Sequence, residues 1–370
     1  MKIVISDKIC SFCRLVGREI YLDRWIYAII AGHALLSTML LSASGMFNVG
    51  ALVHHMQTWL RIYVLLIPGV FIVSCAVTNV IVNRQLPHTA LMAVLRRRRA
   101  GRLLAGICLS VAIGVFMCFY TLFKTAMPIW HGGFPHDYLL SQVDKTIHFG
   151  INPTNFLASW FSDPSILMPV DFIYSRIWMI VVFAGLFAVA STRGLRKIRF
   201  SLFTLFLLAW ILGGNILAYL GLSAGPVFFE KVTGDGYHYN ALAEMISETR
   251  ANGISAFIYY QYLWDAFSRG TVGIGTGISA FPSMHVASAA VIACFMSEFG
   301  RVTTILGTAF VAVILYGSVQ LGWHYAIDGY YSIALVVLFY RVMRKKREFR
   351  FAAPEPVCRP ATVISRKLAA

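Results

Sequence analysis

Phe281-Pro282-Ser283-Met284-His285 and, 39 positions on from histidine to histidine, His324-Tyr325-Ala326-Ile327-Asp328 each stand at the head of an apolar run. Ionisable residues at the mouth of a membrane-length helix are costly unless a site uses them. Asp328 follows His324 by four residues, on one helical face, so it is placed to hold one ring nitrogen and leave the other free. Pro282 suits the first turn of the next helix, whose free amides and positive dipole end favour an anion. Ser283 adds a hydroxyl and His285 a second imidazole. Two imidazoles and a carboxylate beside an anion cradle are parts for nucleophilic and acid–base chemistry.

The surrounding chain sets the solvent. Its 370 residues are 58% hydrophobic and 13% charged, with a mean hydropathy of +0.69, far more apolar than ordinary soluble proteins. A helical span takes about 20 mainly apolar residues. Eight stretches qualify, at 25–45, 61–82, 103–123, 173–190, 200–221, 283–299, 302–321 and 325–343. The expected fold is an all-α polytopic membrane protein of about eight transmembrane helices. Alternating the spans puts 25 of the 32 Lys and Arg residues on one side and 7 on the other. The positive-inside rule then makes both termini cytoplasmic and turns both histidine motifs to the exterior.

The outer segments 124–172 and 222–280 are too long for turns. Trp130, Trp160 and Phe161 point to interfacial helices lying along the membrane surface. Arg96-Arg97-Arg98-Arg99 and Arg344-Lys345-Lys346-Arg347 read as anchors to anionic head groups. The net charge of +16 comes without a basic surface interleaved with aromatic residues, so no nucleic-acid partner is expected.

Seven scattered cysteines imply no disulfide framework, and Cys10-x-x-Cys13 lacks the second pair that a zinc site needs. His131 and His136 flank a Gly-Gly loop without a carboxylate cluster and read as surface histidines. Thr271 to Gly277 lacks the strand that precedes a nucleotide-binding glycine turn. No metal and no cofactor are expected, and past Ala352 the sequence looks disordered.

The motif Pro282-Ser283-Met284-His285, followed by His324-Tyr325-Ala326-Ile327-Asp328, resembles the second and third signatures of the phosphatidic acid phosphatase type 2 superfamily. Phe281 through His285, with the His-Tyr-x-x-Asp form, is similar to its inositol phosphorylceramide synthase branch and bacterial relatives. The resemblance covers 103–343. It divides the chain into an N-terminal two-helix membrane region with a basic cytoplasmic loop (1–102), a six-helix catalytic core (103–343) and a basic, disordered cytoplasmic tail (344–370).

The resemblance implies a metal-free, two-step transfer. His324 would attack phosphorus and form a phosphohistidine, with Asp328 orienting it. His285 would protonate the leaving oxygen and then activate the incoming alcohol or water, while Ser283 and nearby amides steady the transition-state oxygens. The implied enzyme moves a phosphorylated head group from a phospholipid or polyprenyl-linked donor to a lipid or sugar hydroxyl. Membrane lipids are its substrates, no protein partner is read, and the expected location is a bacterial inner membrane with the site facing the periplasm. A lipid or polyprenyl phosphate phosphatase is the alternative, and a non-enzymatic lipid transporter on the same scaffold is the second.

Departures from the family pattern bear on the substrate. Ala218 and Gly225 stand where the first signature has lysine and arginine, and Gly317-Ser318 replaces the Ser-Arg of the third. A phosphodiester carries one charge where a monoester carries nearly two, so fewer cations favour a diester. Lys231, Arg269 and Arg176 are the outer-side replacements expected to bind substrate. Asp144, Tyr237, Gln261 and Trp264 are candidate pocket residues.

Overall fold

A computed structural model describes residues 2–84, 86–271 and 275–346 of the chain, without the side chains of 2–11, 97 and 98. The tail read as disordered past Ala352 lies outside the described residues. The helices are α1 (Lys2–Leu22), α2 (Arg24–Ala43), α3 (Val49–Asn83), α4 (Pro87–Val94) and α5 (Arg97–His131). Then come α6 (Asp137–Ile147), α7 (Pro153–Trp160), α8 (Pro164–Ser191), α9 (Arg193–Leu220) and α10 (Phe229–Thr233). The last are α11 (Asn240–Thr249), α12 (Ser255–Ser268), α13 (Met284–Phe299), α14 (Arg301–Gln320) and α15 (Ala326–Lys345). No strand occurs among the described residues.

Seven of these, α2, α3, α5, α8, α9, α14 and α15, are long and apolar enough to cross a membrane. The eighth expected span, α13, is shorter. It starts only at Met284, after the Phe281–Pro282 peptide, and ends at Gly300, whose φ of +116° few other residues adopt. Its length is not set by lipid, because Val286 through Ile292 are all buried against α8, α14 and α15. Gly307 of α14 lets that contact close: a Cβ there would lie 3.0 Å from the Ala293 Cα. Small residues at such crossings are the usual means of packing helices in lipid.

The bundle interior is aromatic, with Phe116, Phe183, Phe187, Phe203 and Phe206 all essentially inaccessible. Leu35, Leu36 and Met39 of α2 and Val302, Ile305 and Leu306 of α14 face outward instead, as acyl-chain contacts do. One end of the bundle collects the short helices α6, α7, α10, α11 and α12 together with both histidine motifs, in the segments where interfacial helices are expected.

The other end is tied by ions. Arg199, at the start of α9, is 4% exposed and donates to Glu19 at 3.0 Å and to the Ala190 carbonyl at 2.9 Å, and it pairs with Asp23 at 2.9 Å. Burial pushes the Asp23 carboxyl up to about 6 against the pull of Arg199. This knot joins the α1–α2 junction to the core. Replacing Arg199 with alanine leaves buried Asp23 without its ion pair and Glu19 with Arg196 alone, 3.7 Å away, and the detergent-solubilised variant should lose about 3–5 kcal/mol of stability in a thermal melt. An unchanged melting point would show that the knot is solvated.

Candidate active site

Helix α6 positions the site with two carboxylates seven residues apart, which share one helical face. Asp137, 1% exposed, accepts from Ala224 N (2.7 Å), Gly225 N (2.8 Å) and the Tyr325 hydroxyl (2.7 Å). Asp144, 2% exposed, accepts from Ala326 N (3.1 Å) and Ile327 N (2.9 Å). Burial pushes both carboxyls up, and these hydrogen bonds pull them back. The amides are orphan donors, those of Ala326 and Ile327 from the first turn of α15 and those of Ala224 and Gly225 from the loop after α9. Asp144, a candidate pocket residue in the sequence, is thus a clasp on the helix that follows His324.

His324 lies in the turn before α15 and is 7% exposed. Its amide donates to the Ser318 carbonyl at 3.2 Å, and its Nδ1 lies 2.7 Å from the Ala280 carbonyl. A carbonyl only accepts, so Nδ1 carries the hydrogen and Nε2 keeps its lone pair. Burial holds the imidazole down at about 3, opposed by the Ala280 bond and reinforced by Lys124. The ring is therefore neutral at physiological pH, the form a nucleophile needs.

Asp328 does not hold the ring as its spacing suggests. Its Oδ2 lies 3.6 Å from His324 Nδ1, beyond hydrogen-bond length, and instead accepts the Tyr325 amide at 3.0 Å. The i, i+4 argument presumes that both residues are helical, whereas α15 begins at Ala326. Asp328 caps that helix and stands near the ring as a fully buried carboxylate, and the Ala280 carbonyl orients the imidazole.

His285 comes from the first turn of α13. Its ring stacks on Tyr174 (centroids 4.5 Å) and lies 4.0 Å from the Trp178 ring, while Trp178 Nε1 donates to the His285 carbonyl at 2.8 Å. Tyr174 sits in a π-helical turn of α8, Ile173–Ile177, a distortion often found at functional sites. His285 opens α13 and His324 precedes α15, two helix starts that a backbone hydrogen bond joins. Ser283 is the N-cap residue, so Pro282 precedes the helix and does not form its first turn. The Ser283 amide donates to the Asp328 carbonyl at 3.3 Å, and its buried hydroxyl has no hydrogen-bond partner.

Two of the three expected cations are engaged elsewhere, and the third is exposed. Arg176 reaches Ser255 at 3.3 Å and Asp171 at 3.8 Å, where Asp171 accepts the amides opening α12. Lys231 lies 5.0 Å over the Trp264 ring, and Arg269 is exposed at the end of α12. Among the described residues no contact brings any of them to the histidines. Tyr237 is 91% exposed and Gln261 is exposed too. His131 and His136 face each other at 6.0 Å, and His136 Nδ1 lies 3.3 Å from the Leu222 carbonyl. No group of three or more His, Cys, Asp or Glu suited to a metal occurs among the described residues.

A cation that sequence reasoning passed over is present. Lys124 of α5 lies against the segment 276–283, where a Cβ at Gly277 would come 3.0 Å from its Cγ, and the Ala280 carbonyl of the same segment holds His324. In the sequence it counts only as one of seven outer-side charges, although a lone lysine seven residues inside an apolar helix is itself a signal. Gly225, standing where the family has arginine, is fixed by shape. Its φ is +96°, and a Cβ there would come 2.6 Å from the Trp323 carbonyl oxygen.

Comparison with known proteins identifies the family. Searches of curated proteins and of solved structures return no match. A profile of the PAP2 superfamily matches residues 138–342, more than half of the chain and the part that holds both histidines, Ser283 and Asp328, and the chain belongs to that superfamily.

Proposed function

We propose that the protein is a membrane phosphotransferase that moves a phosphorylated head group from a lipid donor to a hydroxyl acceptor through a phosphohistidine on His324. One observation carries this: a buried, neutral His324 whose Nδ1–H is committed to the Ala280 carbonyl, leaving Nε2 its lone pair, with the start of α13, which carries His285 and the unpartnered Ser283 hydroxyl, joined to the start of α15 by the Ser283 amide. Membership of the superfamily supports chemistry on phosphate esters in general.

In the first half-reaction Nε2 attacks phosphorus, the N–P bond forms and the P–O bond to the lipid alcohol breaks. His285 gives that oxygen its proton. In the second, the acceptor hydroxyl surrenders its proton to His285 and attacks phosphorus, and the N–P bond breaks to restore Nε2. Positive charge that builds on the His324 ring faces the Asp328 carboxylate 3.6 Å away. The Ser283 hydroxyl and the first amides of α13 are donors for the crowded phosphoryl oxygens. Burial of the imidazole limits water at the intermediate, which favours transfer over hydrolysis. The histidine end of the bundle faces the exterior in this reading, as the distribution of Lys and Arg supports.

Full-length protein mixed with radiophosphorus-labelled total membrane phospholipid in micelles should acquire an acid-labile, alkali-stable label. His324→Ala should remove it, and His285→Ala should slow its turnover by about a hundredfold or more. Equal labelling of wild type and His324→Ala would refute the mechanism.

The pH profile follows from the depressed ring. With a leaving group that needs no acid, such as p-nitrophenolate from bis(p-nitrophenyl) phosphate, the burst rate should stay flat from about pH 8 to about pH 5, because protonation of the nucleophile begins only near 3. A fall centred on the ordinary histidine value would mean a solvated ring.

Orientation has its own check. In a cysteine-free background, Tyr237→Cys should react with a membrane-impermeant maleimide on intact cells and Arg301→Cys only after lysis. The reverse pattern would invert the topology.

A further inference from the structure

Lys124 sits in α5, within the apolar stretch Arg99–His131 and outside the residues that match the superfamily profile. It is half-buried and makes no hydrogen bond or ion pair among the described residues. A lysine so placed needs either a partner or a wet cavity. Snorkelling to the interface is the ordinary solution, since seven residues of helix are about 10 Å. The neighbours of Lys124 argue for a different one.

The segment 276–283 runs past Lys124 and then through the site. Thr276 and Thr125 hydroxyls lie 3.3 Å apart, so the segment is fastened to α5 one residue from the lysine. Gly277 follows with φ +92°, and a Cβ on it would lie 3.0 Å from Lys124 Cγ and 2.8 Å from Thr125 N. Only glycine allows that approach. Three residues on, the Ala280 carbonyl holds His324, and three further, Ser283 presents its free hydroxyl. One strand of backbone therefore joins the lysine, the nucleophile's orienting group and the candidate phosphate donor.

Resting on the phosphohistidine reading above, we propose that Lys124 binds the substrate's phosphate in place of the family cations absent at Ala218, Gly225 and Ser318. We also infer that the one charge Lys124 brings matches a singly charged phosphodiester better than a doubly charged monoester. A bound phosphate supplies the partner that the ammonium lacks. It also separates the lysine from the two imidazoles, whose protonated forms it otherwise opposes.

The experiment compares wild type, Lys124→Gln, Lys124→Arg and His324→Ala, all full-length in micelles of radiophosphorus-labelled total membrane phospholipid. Initial labelling rate, half-saturation and melting temperature are followed. Lys124→Gln should lower the labelling rate per unit of donor by about a hundredfold. Lys124→Arg should recover most of it, and neither change should lower the melting temperature. The label released by acid from wild type should retain its head group.

Wild-type labelling by Lys124→Gln overturns the assignment. A glutamine variant that labels poorly only in proportion to a lowered melting temperature overturns it too, since that is the behaviour of a packing residue. Release of bare inorganic phosphate overturns the diester half. If wild type carries no label while folded, the phosphohistidine reading fails and takes the lysine's role with it. That outcome is distinct from a labelled wild type with an indifferent glutamine variant.

Discussion

The site depends on two carboxylates of one short helix receiving backbone amides that would otherwise be buried without partners. Asp137 gathers the Ala224–Gly225 turn and the Tyr325 hydroxyl, and Asp144 gathers Ala326 and Ile327. A hydrogen bond to a charged group contributes about 1.5–3 kcal/mol, and a buried donor left without one costs a similar amount. The α6 helix thereby fixes where α15 starts, and His324 lies in the turn just before that start. Asp171 repeats the device on α12, accepting Ser255 N and Ala256 N. The outer face is a set of short helices whose termini are satisfied by carboxylates from their neighbours, as burial under lipid head groups demands.

Within that frame, a neutral acceptor on Nδ1 has chemical consequences. A carboxylate hydrogen-bonded there would favour the imidazolium and hold a proton on the ring. The Ala280 carbonyl fixes the same tautomer with far less pull, and burial keeps the ring neutral. In the proposed mechanism Asp328, 3.6 Å from the ring, is within electrostatic reach when the ring turns positive on bonding to phosphorus. Orientation and electrostatic support, usually given to one residue, are here divided between a backbone carbonyl and a cap.

The membrane spans were legible because lipid imposes length and apolarity on each helix separately, so a one-dimensional pattern suffices. Only α13 fell short, since a helix enclosed by protein has no bilayer thickness to match. The histidines, Ser283 and Asp328 were legible as two motifs. The clasp by Asp137 was not, because an aspartate opening a helix looks like a dipole complement until its partners, 87 to 188 residues away, are known. Lys124 was marked by its place in an apolar helix, but not its neighbourhood, since it meets Gly277 across more than 150 positions. The expected hydrogen bond from Asp328 to the ring came from assuming a helix two residues too early.

The loss of the family arginine and the presence of Lys124 are two sides of one packing choice. At Gly225 the chain needs a positive φ and approaches the Trp323 carbonyl too closely for any side chain. That approach lets Asp137 take the Gly225 amide and the Val227 amide reach the Gly322 carbonyl at 2.9 Å, drawing the turn onto the loop that carries His324. A cation cannot then come from this turn. In the proposed mechanism it comes from α5 instead, which runs beside 276–283 where a second glycine, Gly277, opens the space beside Lys124. In that mechanism the two glycines mark where the chain closes on the His324 loop and where charge can approach it.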